Sequence, residues 1–78
     1  MMREETLIRK AIERQLGDAQ DNAYRARAAF KHMTPDDMAQ QHGQSGSTRA
    51  DILRDYEEQE QAWLWALAYF NDLVKAHT

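Results

Sequence analysis

The chain's only proline, Pro35, and two of its three glycines, Gly43 and Gly46, fall together near the middle of its 78 residues. Proline disfavours helical geometry in the residue before it, and glycine is the weakest ordinary helix former. The breakers therefore divide the chain into two long arms. From Met2 to Met33 and from Thr48 to Ala76 there is no proline, and the one glycine in either arm is Gly17. It costs about 1 kcal/mol relative to alanine, which weakens a helix without ending it.

Apolar residues of the first arm recur at Ile8, Ile12, Leu16, Ala19, Ala23, Ala26, Phe30 and Met33. Spacings of three and four mark one stripe on a helix, so the pattern predicts a helix over residues 2–33. Glu4 and Glu5 in its first turn suit the helix dipole. In the second arm the stripe is Ile52 or Leu53, Tyr56, Glu60, Trp63, Leu67, Phe70 and Val74, predicting a helix over 48–76. Thr48 with Asp51 resembles a capping box, with Ser47 as the alternative cap, and Lys75 and His77 suit the C-terminal end. Between the arms, Thr34 as N-cap and Pro35 at the first helical position predict a short helix over 35–42, anchored inward by Met38.

Two long helices joined by a compact tip fold back antiparallel. The expected fold is thus an all-α helical hairpin, a single domain with a short helix at the tip. With the tip centred near Met38 to Gln44, Phe30 faces Ile52, Ala26 faces Tyr56, Ala19 faces Trp63, Ile12 faces Phe70 and Ile8 faces Val74. Small residues of the first helix then lie opposite large aromatics of the third. The expected hairpin core is Ile8, Ile12, Leu16, Phe30, Ile52, Tyr56, Trp63, Leu67, Phe70 and Val74.

Ala62 to Phe70 is an unbroken apolar run that holds both tryptophans. It is far shorter than the roughly 20 residues a membrane span needs. At about 100° per residue, Trp63, Leu67, Phe70 and Val74 cluster on one face, while Leu64, Ala68, Trp65 and Tyr69 spread around the rest. One partner helix cannot cover so wide an arc. Leu64, Trp65, Ala68 and Tyr69 are therefore the expected partner or oligomer interface, and a homodimer closing into a four-helix bundle is the expected assembly. A different protein on the same face is the other occupant this surface suits.

A chain this short buries only about 60% of its unfolded surface, so its core needs support. It has no cysteine, hence no disulfide and no thiolate metal site. The opening Met1-Met2-Arg3-Glu4-Glu5 lacks a signal peptide's apolar core, and a cytoplasmic location is expected. Net charge is −3: residues 2–33 carry seven Lys/Arg against five Asp/Glu, and residues 34–78 three against eight. That balance argues against a nucleic-acid partner and favours pairing of the two arms.

Asp37 to Tyr56 nevertheless resembles a helix-turn-helix, with Ala39 and Gly43 at the small-residue and turn positions. The resemblance implies nucleic-acid contact through Ser47, Thr48, Arg49 and Arg54, as the alternative function. Gln44 and Arg49 depart from it, standing where the motif has apolar packing residues, and Asp51 and Asp55 offset the two arginines.

The acidic run Glu57-Glu58-Gln59-Glu60 is similar to half of the magnesium site of the all-α nucleotide pyrophosphohydrolases, with Glu57 and Glu60 as one acidic pair. The second pair is missing, because Tyr69 stands three before Asp72. No histidine has a glutamate three residues before it, as di-iron bundles require. His32 and His42 have no recognised zinc spacing, and no glycine loop is followed by a phosphate-binding lysine. No metal, cofactor or enzymatic activity is expected. Glu60 is read as an exposed residue at the edge of the seam, with Arg27 as its possible partner. The basic cluster Arg25, Arg27, Lys31 and His32 is expected to pair with Asp51, Asp55 and Glu58.

Overall fold

The computed structural model describes residues 2–41 and 46–77. Helix α1 spans Met2–Ala29, α2 spans Pro35–Ala39 and α3 spans Arg49–Ala76. Helices α1 and α3, 28 residues each, pack against one another along their length, and α2 packs on α3. The chain is an all-α hairpin measuring 52 × 21 × 17 Å.

The seam is held open to the width of alanine. Among the described residues only Leu16, Ala19, Ala23 and Ala26 are buried, and Ala23 is completely so. These side chains of α1 let the backbone of α3 approach while its larger residues, Tyr56, Trp63, Leu67, Phe70 and Val74, remain part-exposed along the contact. Ile12, Phe30 and Ile52 are part-exposed too. Ile8 departs from the expected core and is 49% exposed. Its angle is that of buried Ala26, eighteen residues or five whole turns further on; what differs is its place near the open end of the hairpin, where its neighbour Arg9 already meets Phe70 and Asn71 and α3 ends at Ala76.

Helix α1 ends four residues before its apolar pattern does. Pro35 holds Thr34 in extended geometry, φ −77° and ψ 164°. The chain reaches that conformation through a tightened last turn, in which Lys31 N–H bonds Ala28 C=O (3.5 Å) and Met33 N–H bonds Phe30 C=O (3.1 Å). Thr34 then caps α2. Its hydroxyl oxygen accepts from Asp37 N–H (3.2 Å), and Asp37 Oδ2 accepts from Thr34 N–H (3.2 Å). Helix α2 stops at Ala39, short of residue 42, because Gln40 adopts ψ 146° and its N–H bonds back to Asp37 C=O.

The tip is closed by backbone pairing. Arg49 N–H bonds Gln40 C=O (3.2 Å), and Gln41 and Thr48 form an isolated antiparallel bridge. Gly46 sits at φ +76°, a left-handed conformation that costs other residues about 1 kcal/mol or more. Gly43 and His42 lie outside the described residues. Thr48, rather than Ser47, caps α3, in a second box with Asp51 (3.1 and 3.4 Å).

Two outcomes test this account. Ala23→Leu forces a larger side chain into the most deeply buried position of the seam and is expected to destabilise by about 1–3 kcal/mol in a urea titration. Ala28→Leu on the exposed face should leave the midpoint unchanged. The second concerns pH. The Thr34 amide holds the Asp37 carboxylate below its usual range, with the Thr34 hydroxyl and Arg49 as lesser causes. A depressed folded pKa means that its stabilisation is present above the unfolded-state pKa and is lost as pH falls through the folded one. Asp37→Asn should therefore flatten the acid side of the thermal midpoint against pH, with wild type and variant converging at the lowest pH.

Candidate functional site

One flank of the seam is closed by polar links. Arg9 Nε donates to Asn71 Oδ1 (3.1 Å), and its guanidinium lies over the Phe70 ring at 5.7 Å. In the last turn of α1, Arg27 forks across to α3, its Nε to Glu57 (3.1 Å) and its Nη2 to Glu60 (2.8 Å). Both contacts lie within about a turn of the expected register. Arg27 is thus paired with Glu57 and Glu60 instead of Asp51, Asp55 or Glu58. The hydrogen bonds that Arg27 donates, to Glu57 first and then to Glu60, raise the already high pKa of the guanidinium.

Glu60 is not the exposed edge residue that the sequence suggests. Its side chain is only 17% exposed, in contrast to 45% for Glu57. A carboxylate shielded to that degree depends on its cation. Arg27→Met is therefore expected to lower the denaturation midpoint more than Glu57→Gln does. Adding Glu60→Gln to Arg27→Met should recover part of the loss, a comparison read from four urea titrations.

The acidic run is spent on this link. Among the described residues no group of three or more His, Cys, Asp or Glu is placed to hold a metal ion. His42, the second of the two histidines weighed for zinc, lies outside the described residues.

The outward side of α3 is different in kind. Trp65 is 67% and Tyr69 52% exposed, and their rings stack in parallel, 5.1 Å between centroids and 6° between planes. Leu73, one turn further on, is also exposed, as are Leu64 and Ala68. These residues do not form one patch. On a helical wheel Leu64 and Ala68 turn towards the flank of Asn71 and Glu57, where the polar links cross. Trp65, Tyr69 and Leu73, spaced by four, turn away from it, with Ala62 three residues before Trp65. The interface read from the sequence thus separates into two edges, and Ala62 and Leu73 belong with the aromatic one. Their signal was present in the spacing 62, 65, 69, 73, but masked by the continuous apolar run around it. Tyr24 on α1, 71% exposed beside Arg27 and Lys31, is a separate surface aromatic.

Before Trp65, one face of α3 forms an open groove of about 520 Å³ lined by Arg54, Glu57, Glu58, Gln61, Ala62 and Trp65. Ala62 is the smallest of these side chains and Trp65 the largest. Helix α2 packs on α3, at the hairpin's tip.

The residues of the helix-turn-helix resemblance are largely engaged within the tip. Arg49 Nη1 donates to Asp37 C=O at 2.9 Å, and the Thr48 hydroxyl accepts from Asp51 N–H. Arg54 faces Asp51 at 3.8 Å. Ser47 is part-exposed ahead of the cap.

No protein-family model, curated protein sequence or solved structure matches this chain. No described helix is long and apolar enough to cross a membrane.

Proposed function

We propose that this chain is a non-enzymatic protein-interaction module, a small adaptor, inhibitor or assembly factor, which self-associates or binds a protein partner through the face of α3 around Trp65. The observation that carries the reading is the stacked Trp65–Tyr69 pair, held rigidly on a long helix with most of its area in solvent. Tryptophan and tyrosine are the residue types most enriched at binding hot spots, and stacking fixes their rotamers before any partner arrives.

The poverty of the core supports the same reading. The chain exposes 6284 Å², whereas a compact monomer of its 9.1 kDa exposes roughly 4,900 Å². A protein surface laid on α3 would bring that excess down and supply the apolar burial that a seam of alanines does not. The polar flank with Arg27, Glu57 and Glu60 then serves to fix the hairpin's register, leaving the aromatic side for the partner.

Trp65→Glu separates this role from folding, because the side chain it replaces supports no contact across the seam. The variant is expected to keep wild-type helicity by circular dichroism and to lose association, falling to monomer mass in light scattering or releasing its protein partner. A wild-type monomer whose mass and protein binding Trp65→Glu leaves untouched would overturn the reading.

A further inference from the structure

We infer that the occupant of this face is a second copy of the chain, with the two α3 helices antiparallel about a two-fold axis that crosses them between Trp63 and Leu64. The inference rests on the interaction face proposed above and commits it to one partner and one geometry.

It comes from reading the outward line of α3 in both directions. From the tip the line runs Arg54, Glu58, Ala62, Trp65, Tyr69, Asp72, all within a sector about 100° wide and facing away from α1. Turned end for end against itself, it places Arg54 opposite Asp72, Glu58 opposite Tyr69 and Ala62 opposite Trp65. The pairs Glu58–Tyr69 and Ala62–Trp65 share a midpoint between Trp63 and Leu64, and Arg54–Asp72 is centred on Trp63, half a residue or about 0.75 Å away along the helix. Each pair is also complementary in kind: a cation meets an anion, a carboxylate meets a phenol that can donate to it, and the smallest side chain meets the largest. A two-fold interface needs this self-complementarity, because every contact in it is made twice.

The groove gives the central pair its shape. Ala62 is the smallest side chain of its lining, and along the outward line it lies between Glu58 and Trp65. Each copy therefore offers both the knob, Trp65, and the hole over Ala62 that receives the partner's knob. A parallel pairing would instead set Trp65 against Trp65 and Arg54 against Arg54, opposing like charges and leaving both grooves open.

The area agrees. A standard interface buries about 800 Å² on each partner, which is within the surface that this chain exposes beyond a compact monomer of its mass. The arrangement also differs from the square four-helix bundle expected from the sequence. The outward line of α3 lies opposite α1, so the dimer places the two α3 helices at its centre and the two α1 helices outside.

The chain has no cysteine, so single introduced thiols report the pairing directly. About the proposed axis, two copies of residue 62 lie about 4.5 Å apart along the helix direction, and two copies of residue 54 about 28 Å apart. All three test positions, 54, 62 and 72, are exposed, so the substitutions leave the hairpin fold in place. Under mild oxidation Ala62→Cys is expected to give a disulfide-linked dimer, and Arg54→Cys alone none. A mixture of Arg54→Cys and Asp72→Cys should give a linked heterodimer. Sedimentation of the unmodified chain should give twice the monomer mass. Linking of Arg54→Cys to itself would overturn the antiparallel geometry while leaving self-association intact. A monomer at high micromolar concentration, with no linking at position 62, would overturn the second copy as occupant. In that case a different protein whose binding is abolished by Trp65→Glu would preserve the interaction module, whereas indifference to Trp65→Glu would remove both.

Discussion

The close approach of two helices over alanine is what the rest of this structure depends on. Ala19, Ala23 and Ala26 let α3 settle against α1 without a large side chain to hold them apart. The contact is tight but thin. Dispersion attraction grows with the number of atoms brought together, and a methyl group brings few. A seam built this way fixes the distance between the helices well and contributes little to the stability of the folded chain. The larger residues of α3 must then lie along the edges of the contact, where each is covered on one side only.

That distribution explains why so much polar structure is invested at the ends and on one flank. Two capping boxes, at Thr34 and Thr48, anchor the starts of α2 and α3, and Arg49 fastens the end of α2 to the beginning of α3. Each device satisfies backbone groups that a helix end leaves open. Arg9 and Arg27 then set the register of α1 against α3 at two separated points. Directional links of this kind specify one arrangement among several that an alanine seam alone would tolerate.

Much of this was legible in the sequence, for local reasons. The hairpin followed from two apolar stripes either side of a breaker cluster, and both capping boxes from residue type and spacing over four positions. What was not legible depended on neighbours in space. The end of α1 lay at Ala29 because Pro35 acts on Thr34 and the turn before it, whereas the apolar pattern ran on through Phe30 and Met33. The shielding of Glu60 depended on where Arg27 reached, and a wheel drawn for one helix carries no such information. Ile8 matched the stripe by spacing and angle, but it stands at the open end of the hairpin, where little of α3 is left to cover it. In the candidate site, the run from Ala62 to Phe70 announced an unusually apolar helix, but only the polar links on one flank showed which of its edges they leave uncovered.

The two tryptophans stand two residues apart and report on different surroundings. Trp63 lies part-covered along the seam, whereas Trp65 stacks on Tyr69 in solvent. The chain thus carries two intrinsic fluorophores, one sensitive to the helices separating and one to anything settling on the outer face. With Trp63 replaced by phenylalanine, emission from the remaining indole would follow the outer face and its stack on Tyr69. With Trp65 replaced instead, it would follow the opening of the hairpin.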